Sequence, residues 1–230
     1  MNRQKNFLQI VFPVLLAGLI FLPQPTRAAN TGACHCFRHR KYDSKAPFAA
    51  DDYLLTTSFN SLTAAHFKLS KKQLIYYKMK AGIQADDLLI TLYLARSKNL
   101  DPDKLLAART QTKSWTGLLS SFPTLADDHH DKLINMLRKS RSAADCGIYV
   151  ADNMIAGFYG LSPTEITSVR KQGLKEKEMA LLFFLAQDRG LPAKQLIRQV
   201  KEEGRSWSEV AFYLGLNPKT VGREILECKK

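Results

Sequence analysis

The segment Lys175–Arg189, KEKEMALLFFLAQDR, carries charges at its two ends and an uninterrupted apolar run, Met179 to Ala186, between them. A run that is apolar on every side is typical of a helix buried in a protein core. A buried strand is the alternative at this length, but Met, Ala and Leu dominate the run, and Gly190 follows it as a helix C-terminal signal. The run therefore predicts a buried central helix.

The same pattern occurs once more, upstream. At an offset of 91 residues the central run aligns with Leu88–Ala95, and Leu185 falls on Leu94. At offsets of 91 or 92 the flanking segments also align, as Ser206-Trp207 does with Ser114-Trp115. Apolar, glycine and helix-capping positions that match in register indicate an internal duplication. We therefore predict an all-α fold of two tandem copies of a short-helix repeat unit, each around one buried central helix.

Helix-start signals and composition set the predicted organisation of the chain. Ser162-Pro163-Thr164-Glu165 has the residues of a capping box with proline at the first helical position, and Ser206 to Glu209 repeats the box. The connector between the repeats should contain a helix from Asp128 to Lys139 and a loop around Cys146-Gly147. The predicted parts are a signal peptide, 1–28; a loop-rich strap and entry helix, 29–59; repeat unit 1, 60–120; a connector, 121–151; and repeat unit 2 with a C-terminal helix pair, 152–230.

The N-terminus has the pattern of a secretory signal peptide. Arg3 and Lys5 precede an apolar run, Phe7–Leu22, and small residues follow at Thr26 and Ala28. An uncleaved anchor helix is the alternative, but the run falls short of the ~20 apolar residues that a membrane span needs. We expect cleavage after Ala28, a periplasmic or secreted protein, and no transmembrane segment in the mature chain.

The chain is strongly basic. Its formal net charge is +13, and cleavage after residue 28 would leave +10, because the removed segment holds three basic residues and no acid. A basic exported protein favours anionic neighbours. The charge predicts an anionic polymer or an acidic protein as partner, with nucleic acid as a less favoured possibility.

The positive charge is concentrated in one stretch. No acidic residue lies between Asp52 and Asp86, whereas lysines 68, 71, 72, 78 and 80 surround Tyr76 and Tyr77. Four-residue spacing places Lys72, Tyr76 and Lys80 on one face of a helix, and Lys68 immediately precedes it. These four residues are the predicted partner-binding face, and an ordinary solvated surface is the alternative.

Residues 207–225, WSEVAFYLGLNPKTVGREI, resemble a bacterial helix-turn-helix. In that family a Glu-apolar-Ala helix, a Leu-Gly-apolar turn and a Thr-Val-x-Arg recognition helix follow one another in this order. The resemblance implies DNA binding through Lys219, Thr220 and Arg223. Export and the acids Glu224 and Glu227 on the second helix favour the alternative, which is a tight helix pair packed into the core.

The four cysteines, Cys34, Cys36, Cys146 and Cys228, would all lie in the mature protein, where an oxidising compartment favours disulfides. A bridge between Cys34 and Cys36 would close a very tight ring. Each is therefore expected to reach Cys146 or Cys228. The alternative is a zinc site formed by Cys34, Cys36, His39 and Cys146, without the usual two-residue spacing between paired cysteines.

No catalytic motif is found in the sequence. It contains no Gly-x-Ser-x-Gly elbow and no glycine-rich phosphate loop, and its five histidines follow no catalytic pattern. We therefore predict a non-enzymatic binding or scaffold module without a cofactor. DNA binding, metal binding and a dispersed catalytic site are the competing possibilities.

Overall fold

Helices form all the regular secondary structure in residues 37–79, 83–112 and 114–228, the parts of the chain that the computed structural model describes. The first seven helices are α1 (Asp51–Phe67), α2 (Lys71–Met79), α3 (Ala85–Ser97), α4 (Pro102–Gln111), α5 (Trp115–Ser120), α6 (Pro123–Ala126) and α7 (Lys132–Arg138). The others are α8 (Ala143–Tyr159), α9 (Pro163–Lys171), α10 (Glu176–Asp188), α11 (Ala193–Lys201), α12 (Trp207–Tyr213) and α13 (Pro218–Glu227). The all-α prediction is confirmed, and both central runs are helical. The predicted signal peptide lies outside the described residues.

Helices of the two halves match in length and position. α1 and α8 begin and end 92 residues apart, as do α2 and α9, and α3 and α10 begin and end 91 residues apart. The residues that follow α1 and α8 also share a backbone conformation, because φ is 56° at Lys68 and 68° at Gly160. This agreement supports the duplication, although the superposition of the two halves stays a prediction.

Side-chain hydrogen bonds recur at matched positions as well. The indole nitrogen of Trp115 donates to Asp87 Oδ1 at 3.0 Å, and that of Trp207 donates to Glu178 Oε1 at 3.1 Å. Asp87 and Glu178 lie 91 residues apart, and the two tryptophans lie 92 apart. Each bond joins the start of one short helix to a central helix, so the same link closes both halves.

The two halves are interleaved rather than separate. α3 packs most extensively on α8, and α10 packs most extensively on α1. Leu94 and Leu185 are both fully buried, in α3 and α10, respectively. The sequence predicted a unit around each central helix, but each central helix makes its largest contact with a helix of the other half. One shared core follows from this exchange.

Side-chain caps fix where the helices begin. Ser162 Oγ accepts from the Glu165 backbone N–H at 3.2 Å, and Glu165 Oε2 accepts from the Ser162 N–H at 2.7 Å, which completes the predicted capping box. Ser206 Oγ accepts from the Glu209 N–H at 3.0 Å and caps α12, but the return bond from the Ser206 N–H to Glu209 is not formed, so the predicted second capping box is wrong. In the connector, Asp131 caps α7, so the expectation of a helix starting at Asp128 is wrong by about one turn.

The predicted loop around Cys146-Gly147 is also wrong, because both residues lie inside α8. Gly147 is required by close approach. A Cβ atom there would lie 2.5 Å from Asp86 Oδ1 and 2.9 Å from the Asp86 Cβ. The glycine therefore lets α8 pack closely against α3.

Replacing Gly147 with alanine is expected to lower the free energy of unfolding by about 1–2 kcal/mol. Overpacking should outweigh the ~1 kcal/mol that alanine normally gains over glycine inside a helix. Urea unfolding followed by circular dichroism measures the change. In an Asp86→Gly background, which removes all three Asp86 atoms that the new methyl group would meet, the same substitution should be neutral or stabilising, and an equal loss in both backgrounds would contradict the close-approach explanation.

Candidate functional site

The predicted partner-binding face lies on and beside α2. Lys68, Lys72 and Tyr76 are exposed to solvent, and the side chain of Tyr76 is 55% exposed. Lys80, the fourth predicted residue, lies outside the described residues. We call the exposed surface of Lys68, Lys72 and Tyr76 the α2 face.

Buried contacts on the opposite side of α2 hold this face outward. Leu74 is fully buried and Tyr77 nearly so. The Tyr77 hydroxyl donates to Asp103 Oδ2 at 3.1 Å. Burial first, and then this hydrogen bond to a carboxylate, raise the pKa of Tyr77 to about 12. The anchoring contacts therefore lie on the side of α2 opposite the α2 face, and they fix its orientation.

Two lysines of the same basic stretch do not belong to the α2 face. Lys78 is half-buried and its Nζ contacts Asn60 Oδ1. Burial, with a smaller effect from the charge of Lys177, lowers the pKa of Lys78 to about 8. Burial also lowers the pKa of Lys71. The concentration of lysines in the sequence thus comprises an outward group and an inward group.

The second half offers an uncharged counterpart of the α2 face. The positions 92 residues after Lys68, Lys72 and Tyr76 are Gly160, Thr164 and Ser168. All three are exposed, at the end of α8 and along α9. The two halves therefore present surfaces of matched position and different charge.

Backbone conformation at Lys68 adds a second difference. Its φ of 56° lies in the left-handed region, which costs roughly 1–2 kcal/mol for a residue with a side chain. The matched Gly160 adopts the same region without that cost. The chain thus carries a lysine at a position where glycine would be conformationally easier.

The segment that resembles a helix-turn-helix does form two consecutive helices, α12 and α13. Lys219 and Arg223 are exposed on α13, and Thr220 is half-buried. The Arg223 Nη2 atom lies 3.9 Å from Glu224 Oε1, so the ion pair between these two residues is weak. The other side of α13 covers α1. These helices therefore contribute to the core, as the alternative predicted, and still leave two cations accessible.

The cysteines are only partly described. Cys146 is fully buried, Cys228 is exposed, and the two are not bonded to each other. Cys34 and Cys36 lie outside the described residues, so the predicted pairing stays a prediction. Among the described residues, no group of three or more His, Cys, Asp or Glu side chains could hold a metal ion. His39 is exposed in the N-terminal strap, whereas Cys146 lies in the core.

A cleft that the sequence analysis missed lies between the N-terminal strap and the α12–α13 turn. It has a volume of about 660 Å³. Its lining combines aromatic rings and cations, notably Arg40, Lys41, Tyr42, Tyr53, Phe212 and Lys219. The available sequence signal was the basic run Arg38-His39-Arg40-Lys41 followed by Tyr42. The run could not reveal that it lies beside Phe212 and Lys219, because these residues are more than 160 positions further along the chain.

Comparison with protein-family models, curated proteins and solved structures finds no match for this chain. None of the helices in the described residues is long and apolar enough to cross a membrane.

Proposed function

We propose that the protein is an exported, non-enzymatic helical module that binds an anionic polymer through the α2 face. The observation that carries this proposal is the contrast between Lys68 and Gly160 in one backbone conformation. Core packing cannot explain the contrast, because both positions are exposed. A cation kept at a conformational cost, in a stretch of sequence without acids between Asp52 and Asp86, favours a binding role.

The proposal that the protein is exported rests on the signal-peptide pattern of residues 1–28. If the protein is exported, the thiols meet an oxidising compartment. Cys228 is then the more accessible partner for Cys34 or Cys36, because it is exposed and Cys146 is fully buried.

Giving the α2 face the residues of its counterpart, as Lys68→Gly with Lys72→Thr, should weaken binding of an oligothymidine probe roughly tenfold at low salt. Each exposed ion contact contributes up to about 1 kcal/mol. The salt dependence should also become shallower, since each lost phosphate contact removes ~0.7 from the logarithmic slope for a single strand. Fluorescence anisotropy at several salt concentrations measures both quantities.

The matched control for this experiment is Thr164→Glu with Ser168→Glu, which lowers the net charge by the same two units on the uncharged counterpart. Affinity should change little in the control. If both double variants bind equally weakly, net charge alone is responsible and the α2 face is not the site.

Tyr76→Ala distinguishes a nucleic acid from a polymer without bases. The substitution should weaken binding only of a polymer that carries bases, because stacking on the tyrosine contributes ~1–3 kcal/mol per base. Dextran sulfate is therefore the comparison probe.

Duplex DNA binding is the second candidate, favoured by the exposure of Lys219 and Arg223 on α13. In this case Lys219→Gln with Arg223→Gln should weaken duplex binding, and the α2 variants should not. The exposed Glu227 on the same helix opposes phosphate contacts, so the α2 face remains the first proposal.

A further inference from the structure

The aromatic side chains of the cleft form a stacking surface. The ring centroids of Tyr42 and Phe212 lie 5.0 Å apart with an interplanar angle of 35°. Phe212 is 53% exposed, although its neighbours Val210 and Ala211 in α12 are buried. Tyr53 lines the same cleft from α1. A planar ligand would find ring faces on two sides.

Only positive charge lines the cleft. Arg40, Lys41 and Lys219 are its ionisable cations, and no carboxylate is among its lining residues. Lys41 and Lys219 are exposed and form no ion pair with any residue in the described ranges. The Arg40 guanidinium lies 5.5 Å from the Tyr53 ring centroid, which holds the cation at the aromatic wall.

The nearby acids lie outside the lining of the cleft. Burial raises the pKa of Tyr42, and Glu209 and Asp43 contribute a smaller part of the shift, so both carboxylates lie near the tyrosine without lining the cleft. Asp51 is occupied by the start of α12, since its carboxylate accepts hydrogen bonds from the backbone N–H groups of Trp207 and Ser208 at 3.1 and 2.8 Å.

The start of α13 cannot supply the anion contacts by itself. Asn217 Oδ1 already accepts from the N–H groups of Lys219 and Thr220 at 3.0 and 3.1 Å. Pro218 has no N–H group to donate. Recognition of an anion here would therefore depend on the lysine side chains.

We propose that this cleft binds a small organic anion with a planar ring. The ring packs against Tyr42 and Phe212, and the acidic group pairs with Lys41 and Lys219. The volume lies within the range of small-molecule sites, ~300–1,000 Å³, and apolar walls with a few placed charges are their usual composition. The proposal is independent of the α2 face, because the two surfaces share no residue.

The probe for this site is 1-anilinonaphthalene-8-sulfonate, a fluorescent aromatic anion, titrated into the full chain. Phe212→Ala should weaken its binding at least fivefold, and Lys41→Gln with Lys219→Gln should weaken it roughly tenfold at low salt. Phe48→Ala and the double change Lys171→Gln with Lys194→Gln are the matched controls, since all three residues are exposed and none lines the cleft. Each variant is first shown to unfold at the wild-type temperature, because loosely packed chains also bind this dye.

Competition then defines the ligand. 2-Naphthoate should displace the dye, whereas 2-naphthylmethylammonium, which has the same ring system and the opposite charge, should not. Adenosine monophosphate in a parallel titration distinguishes a nucleotide from an aromatic carboxylic acid as the better ligand. Equal dye binding by the Phe212 and Phe48 variants would overturn the proposal, and so would equal displacement by the anion and the ammonium compound.

Discussion

Alanine in place of Leu185 is expected to lower the free energy of unfolding by about 3–5 kcal/mol, and alanine in place of Leu94 by a similar amount. Both side chains are fully buried, one in each central helix. Truncation removes apolar contacts and leaves a cavity that a tightly packed core closes only in part. Because α3 packs on α8 and α10 on α1, each substitution damages the core shared by both halves.

Urea unfolding monitored by circular dichroism and by the fluorescence of Trp115 and Trp207 measures this effect. Each variant should unfold in one transition at lower urea, reported equally by both signals. Ile148→Ala is the control, because Ile148 is 41% exposed on α8 and its truncation should cost less than ~1 kcal/mol. Two separate transitions, one for each half, would show that the halves fold independently and that the interleaved packing is not formed.

The two central helices were predictable because a helix that is buried on every side has apolar residues on every side. The run from Met179 to Ala186 has no polar face that could meet water, so its location followed from composition alone. The sequence of the run does not indicate which helices pack against it. An apolar surface packs equally well against either half, and the exchange between α1 and α8 is a property of the whole arrangement.

The α2 face was predictable in part for a related reason. Helical spacing correctly grouped Lys72 with Tyr76, because Leu74 and Tyr77 mark the opposite, buried side. The same lysine-rich stretch gave no indication that Lys78 turns inward, since this depends on where α1 lies. The aromatic cleft was missed for the most basic reason, namely that its two walls come from opposite ends of the described chain.

Replacing Lys78 with methionine is expected to raise the free energy of unfolding by about 2–3 kcal/mol at pH 7. Lys78 is half-buried, and its ammonium lies against a neutral amide, Asn60, with the cation of Lys177 nearby. These conditions lower its pKa from 10.5 to about 8, and this difference corresponds to roughly 3 kcal/mol of destabilisation while the group is charged. Methionine fills a similar volume without the charge.

The pH dependence gives the same interpretation an independent test. Because the pKa of Lys78 is lower in the folded protein, the unfolded chain binds more protons between pH 8 and 10.5, and stability should rise with pH through that window. Lys78 should contribute about 2 kcal/mol to the change in stability from pH 7 to pH 9.5. The lowered pKa of Lys71 acts in the same direction, and the raised pKa values of Cys146 and Cys228 act in the opposite direction, so the difference between the wild type and Lys78→Met measures the contribution of Lys78. Tyr77 and Tyr93, whose pKa values are raised to about 12, oppose the rise only above pH 10. Lys78→Met should flatten the rise, and Lys72→Met, on the exposed side of α2, should not.

Asn60→Asp provides the most specific version of this prediction, because the second half already contains the corresponding pair. Arg170 and Asp152 occupy the positions 92 residues after Lys78 and Asn60, and Arg170 Nε donates to Asp152 Oδ1 at 3.1 Å. A carboxylate at position 60 should pair with Lys78, raise its pKa, stabilise the protein at pH 7 and remove most of the rise toward pH 9.5. The reverse change, Asp152→Asn, should weaken the second half by leaving Arg170 without its counter-charge. If Asn60→Asp instead lowers stability at pH 7, the Lys78 ammonium is already solvated well enough to need no counter-charge, and its inward position has no electrostatic cost.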